Sequence, residues 1–156
     1  MQLIDSHCHL DVSEFSADLF ETLNRGKKAG VVAFVVPAID FACWQSLSHL
    51  ALKYSVLKPA FGLHPMFLER FESSQLDALP DWLTKPECVA VGECGLDFFI
   101  PNFDSALQEL VFIEHIKLAK QFGKPLIIHA RKSTERVIQL LKQYGPVTGV
   151  IHSYSG

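Results

Sequence analysis

The 156-residue sequence is poor in cysteine, carries no dominant charge and lacks a long apolar run. Its four cysteines, Cys8, Cys43, Cys88 and Cys94, have neither CxxC spacing nor the density of a disulfide scaffold. Reduced thiols in a cytoplasmic protein are the expectation. No uninterrupted run of about 18 apolar residues occurs, so no membrane-spanning helix is expected. The first residues have no basic lead-in, and Asp5 interrupts their apolar stretch, so no secretory signal is expected either. Fourteen basic residues against 17 acidic ones give a net charge of −3, which is no global nucleic-acid footprint. Contact with phosphate would need a local patch.

What is present is ordinary globular material, 49% hydrophobic and 20% charged, enough for one domain over residues 1–156. Short apolar runs alternate with longer amphipathic ones. The runs predict strands at 3–7, 31–36 (stopped by Pro37), 58–64 (stopped by Pro65), 88–94, 125–130 and 148–153. Helices are predicted over 16–29, 40–54, 73–83 (opened by a capping Ser73), 103–122 and 133–144. The strands are apolar on both faces, as parallel strands covered by helices are. Repeated βα units mean an α/β fold, either an open doubly wound sheet or a (β/α)8 barrel. Six strands and five helices ending just after a strand fit the first part of a TIM-type barrel, which needs about 250 residues in full.

Barrel chemistry gathers at the C-terminal ends of strands. His7, His9, His64, Glu93, His129 and His152 all fall there. Alternation puts Asp5, His7 and His9 on one face with Cys8 opposite. It puts Val89, Val91 and Glu93 together, opposite Cys94, and Ile127, His129 and Arg131 together. The histidines and Glu93 are thereby expected to converge on the barrel mouth, with Cys8 and Cys94 packed towards the helices. His49 and His115, inside amphipathic helices, receive no role, and Lys132 reads as solvated charge.

Mixed nitrogen and oxygen ligands suit divalent ions such as Zn²⁺, Mg²⁺ or Mn²⁺ without selecting one. Glu93, the one central carboxylate, suits a bridge between two ions, which would clamp the attacking and leaving oxygens of an in-line displacement. Arg131 could hold a phosphate bidentately, and His64 could donate to a non-bridging oxygen. The constellation points to metal-assisted hydrolysis and leaves the bond unnamed.

The stretches DSHCHLD, GLHP, VGECGLDF, IIHAR and IHSYSG, in this order along the chain, resemble the TatD family of metal-dependent deoxyribonucleases, within the amidohydrolase-like barrels. The resemblance implies a TIM-type barrel and hydrolysis of DNA phosphodiesters, at single strands or 3′ ends. It implies metal ligation by His7, His9, Glu93, His129 and His152, with His64, Asp97 and Arg131 around the substrate phosphate. Ser153 and Tyr154 depart from the cysteine and phenylalanine commoner in the last motif. A further departure is length. The family's barrel continues for roughly another hundred residues and brings an aspartate that completes the metal site. Residues 1–156 hold no such aspartate, so little activity is expected from them alone, with self-association through open sheet edges. Two other readings stay open: an amidohydrolase-type C–N hydrolase or deaminase, and a non-catalytic metal-binding half-barrel.

Overall fold

The computed structural model describes residues 1–102 and 104–154. Six strands, β1 (Leu3–Asp5), β2 (Val31–Pro37), β3 (Leu57–Phe61), β4 (Ala90–Asp97), β5 (Leu126–Arg131) and β6 (Gly149–Ile151), alternate with helices α1 (Leu19–Lys28), α2 (Trp44–Lys53), α3 (Ser73–Leu83), α4 (Ser105–Phe122) and α5 (Thr134–Tyr144). All neighbours pair in parallel, in the order β1-β2-β3-β4-β5-β6. That monotonic order is a barrel's. A doubly wound sheet needs a reversal, and none occurs among the described residues.

The sheet is strongly curved. Six flat strands would separate the first from the last by about 24 Å. Yet the rings of His7, beyond β1, and His152, beyond β6, stack 4.1 Å apart at 12°. The main core lies between the convex face and the helices, around Trp44, Leu47, Phe61, Leu79, Phe112, Ile116 and Leu140. The concave face carries a small separate cluster of Ala60, Ala90 and Ile127, with Val35 against it. This is the α/β, TIM-type architecture expected, built over six strands. No helix among the described residues is long and apolar enough to cross a membrane.

Local chemistry explains most element boundaries. Asp104 caps α4 by accepting from Leu107 N at 3.0 Å, and Gly123 ends it at φ 61°. Position 103, where that helix was expected to begin, lies outside the described residues, as do Ser155 and Gly156 of the last motif. Several expectations are corrected. Glu72, not Ser73, is the N-cap of α3, and no side-chain cap forms. Pro37 lies within β2, paired with Ala60. β1, β3 and β6 stop at Asp5, Phe61 and Ile151, so His7, His9, His64 and His152 sit in the loops just beyond the ladder. The loops free them to turn into the mouth.

β4 carries the largest departure. Val91 is buried against the helices, not on the face of Glu93. A register irregularity between Val91 and Cys94 breaks the alternation. It centres on Gly92 at φ 147°, where a Cβ would lie 2.6 Å from Ile127 O. Only glycine tolerates both the angle and that contact. The slip turns Glu93 inward.

Candidate metal centre

Glu93 is almost fully buried, and five imidazoles surround it. Its Oε2 faces His7 Nε2 at 3.2 Å and His9 Nε2 at 3.6 Å. Its Oε1 faces His152 Nε2 at 2.5 Å, His64 Nε2 at 3.2 Å and His129 Nδ1 at 3.5 Å. Burial alone would raise the Glu93 pKa, but the imidazoles of His129, His152, His64 and His7 outweigh it and hold the carboxyl well below the usual range. Glu93 is therefore an acceptor at any working pH.

Hydrogen bonds fix which nitrogens can bind a cation. His129 Nε2–H donates to Asp97 Oδ2 at 2.8 Å, so Nδ1 is the nitrogen turned towards Glu93 and the one a cation would reach. A carboxylate behind a histidine in this way sets tautomer and orientation for a metal. Burial would lower the His129 pKa, but Glu93 and Asp97 together raise it. His64 is different. Its Nδ1 accepts from Met66 N at 3.1 Å, so its proton sits on Nε2 and points at Glu93. Distance alone groups His64 with Glu93 and His129 as a ligand triad. The tautomer makes His64 a donor instead. Burial lowers its pKa, so it is a neutral donor.

The remaining residues gather on the two oxygens of Glu93. The donor atoms of His7, His9 and Glu93 lie within 4.8 Å of one another. The two Nε2 atoms of His7 and His9 stand 3.3 Å apart, and both Nδ1 atoms are buried without a partner. Two neutral imidazoles facing each other across that gap offer at most one hydrogen bond, whereas one cation would satisfy both lone pairs. On the other carboxylate oxygen, His129 Nδ1 and His152 Nε2 are 3.4 Å apart.

The structure thus brings His7, His9, Glu93, His129, His152 and His64 together. It places the other two expected site residues differently. Asp97 is fully buried, with Oδ1 accepting from Phe99 N at 2.9 Å and Oδ2 accepting from His129 Nε2–H at 2.8 Å, so it steadies His129 from behind. Arg131 lines one cleft with His129 and His152. It is exposed, with its guanidinium 3.9 Å from the centroid of the Phe99 ring. Cys8 and Cys94 pack as expected: burial, with nearby Asp5, pushes the Cys8 thiol up to about 12, and burial pushes Cys94 up as well.

Sequence reasoning missed His115. It is fully buried in α4, accepting from Leu63 N at 3.0 Å through Nε2 and donating from Nδ1 to Val111 O at 2.7 Å. From the other side Trp44 Nε1–H donates to Gly62 O at 3.0 Å. The peptide that leads into His64 is gripped between two helices. The available signal was the position of His115 on the apolar stripe Val111, Phe112, Ile116, Ala119. A histidine there must have partners.

A family model described as TatD related DNase matches residues 4–156. The chain is 37% identical over 99% of its length to the uncharacterized metal-dependent hydrolase YjjV of Escherichia coli K12, covering 61% of that protein. It is 33% identical to the 3′-5′ ssDNA/RNA exonuclease TatD of Edwardsiella piscicida over 99% of this chain and 60% of the relative. The crystal structure of the TatD homologue YjjV from E. coli superposes with a TM-score of 0.94 at 38% identity, over 99% of this chain and 61% of that one. The chain therefore spans about three-fifths of the length of these relatives.

Proposed function

Since the chain belongs to the TatD-related DNase family, we propose that its centre serves metal-dependent hydrolysis of phosphodiesters in single-stranded DNA, working from the 3′ end. The observation that carries this is the division of the Glu93 carboxylate. One oxygen faces the His7–His9 pair, the other the His129–His152 pair. His7, His9 and Glu93 Oε2 would hold one divalent ion, and His129, His152 and Glu93 Oε1 a second. When bound, such ions polarise a phosphoryl oxygen and make water a nucleophile near neutral pH.

The chain's own residues supply the rest. Asp97 keeps the proton on His129 Nε2, so that Nδ1 stays free to coordinate. His64 Nε2–H is aimed into the centre and donates to a non-bridging oxygen of the scissile phosphate. Arg131, exposed and steadied on Phe99, pairs with a phosphate. In the reaction, water oxygen bonds to phosphorus and the P–O3′ bond breaks. The departing 3′ oxygen takes up a proton, leaving a shortened strand and a 5′-mononucleotide.

Metal content after dialysis, with mononucleotide release from single-stranded DNA in Mg²⁺ or Mn²⁺, tests this. Glu93→Ala and His129→Ala should lose metal, and with it whatever release the parent protein shows. Retention of parental metal by both variants would overturn the site, and release that persists in EDTA would overturn the mechanism.

A further inference from the structure

Two clefts flank the Glu93 cluster on opposite sides of β4, and their chemistry differs. The first lies over the loops after β2 and β3, is about 380 Å³, and has His64 in its wall. Phe41, Met66 and Phe67 stand exposed in its lining, the last set edge-on to His64 at 5.7 Å between ring centroids. Its charges are Asp40 and Glu69 against Arg70, which disfavours a polyanion. The second lies over the loops after β5 and β6, is about 770 Å³, and includes His129 and His152. It carries Arg131, Lys132 and Arg136 against Glu135. Arg136 is already held by both oxygens of Glu109, at 2.6 and 2.7 Å. Arg131 and Lys132 make no ion pair among the described residues. Lys132 also holds a left-handed backbone at φ 55°, unfavourable for a lysine and worth retaining where its position matters.

Resting on the nuclease reading, we propose that these clefts set the direction of the substrate. The 3′-terminal nucleobase stacks in the Phe41–Met66–Phe67 cleft, and the remaining sugar–phosphate chain leaves along Arg131 and Lys132. The scissile phosphate then lies between them, under His64 Nε2. The smaller cleft, with two phenylalanines and a methionine in its wall and an acidic edge, accepts a flat π-system and repels phosphate. The larger, basic one does the reverse. Aromatic platforms beside basic tracks are how single strands are gripped without sequence readout. Fitting a terminal base, free of further chain, to the smaller cleft makes removal of one nucleotide at a time a consequence of shape.

The test uses phosphorothioate-linked single-stranded hexanucleotides in Mg²⁺, read by fluorescence anisotropy: one intact, one abasic at its 3′ end, one abasic at its 5′ end. The parent protein should bind the intact and 5′-abasic strands alike, and the 3′-abasic strand about tenfold more weakly. Phe67→Ala should bring that ratio close to one, whereas Phe67→Tyr should keep it. Lys132→Glu should weaken all three strands together and leave the ratio standing. Full discrimination in Phe67→Ala, or its collapse in Lys132→Glu, would overturn the assignment while leaving the nuclease reading intact. A parent protein that binds none of the three strands would overturn both.

Discussion

His115 has no exposed surface, and an imidazole so buried is neutral when its surroundings offer one acceptor and one donor. Burial outweighs the help of Val111 O and Glu114 and pushes its pKa down to about 4. Above about pH 6.5 both folded and unfolded chains carry it uncharged. Between about 6.5 and 4 the unfolded chain takes up a proton that the native imidazole refuses, so stability falls as pH drops. The loss attributable to this one group reaches up to about 3 kcal/mol. The substitution His115→Gln keeps a side chain that can accept from Leu63 N and donate to Val111 O, and it does not titrate. Urea unfolding of that variant should show a shallower decline over the same window than the parent, and equal slopes would refute the assignment. His115→Leu leaves Leu63 N without a partner and should cost about 1–3 kcal/mol at neutral pH. At the same scale, Asp97→Asn no longer offers a carboxylate to His129 Nε2–H. Affinity for the ion at His129 should fall about 10- to 100-fold in chelator competition. Unchanged affinity would return Asp97 to a purely structural role.

Among the elements, β4 decides the site. Gly62 packs directly on it: a Cβ there would stand 2.7 Å from Gly92 Cα and 2.9 Å from Glu93 O. Those are backbone atoms, which cannot rotate aside. Gly62→Ala should therefore push β3 and β4 apart, lower thermal stability and weaken metal binding together. Loss of stability with parental metal affinity would show that Glu93 is set independently of the loop before His64. This element also marks where the sequence stops being readable. The strands were legible because a parallel strand between helices and a barrel interior must be apolar on both sides. The cluster around Glu93 was legible because histidines and a carboxylate recurred at strand ends, where little else requires them. Alternation failed at Val91, because the angle at Gly92 is a backbone property that no side-chain pattern announces. Arg131 was misplaced for the same kind of reason: parity gave its face, but not that the side chain would rise out of the mouth onto Phe99. His115 was passed over because its partners, Leu63 N and Val111 O, are backbone groups, one of them 52 residues away.

For the molecule as a whole, curvature brings the two ends of the sheet to one centre and also exposes what lies between them. β1 and β6 each have a single neighbour among the described residues. Ile4 pairs with Ala33, and Val150 with Ile127 of the concave cluster, so both side chains belong to the inner face. They are 64% and 51% exposed. Burying such a side chain fully contributes about 1.5–3 kcal/mol, and the adjoining edges present unpaired N–H and C=O groups. Nothing in the small cluster of Ala60, Ala90 and Ile127 covers them. A polypeptide limited to residues 1–156 is expected to associate through these edges at micromolar concentration, seen as a mass above the 17.5 kDa monomer in light scattering. Ile4→Ser with Val150→Ser should shift that distribution towards monomer, because it removes the apolar gain and leaves the residues around Glu93 untouched. Metal content then separates two causes. If the monomeric variant still binds metal, the His7–His152 stacking across the mouth is a property of one curved chain. If metal is lost with association, the centre depends on contacts between chains, and the single-chain geometry described for Glu93 is incorrect.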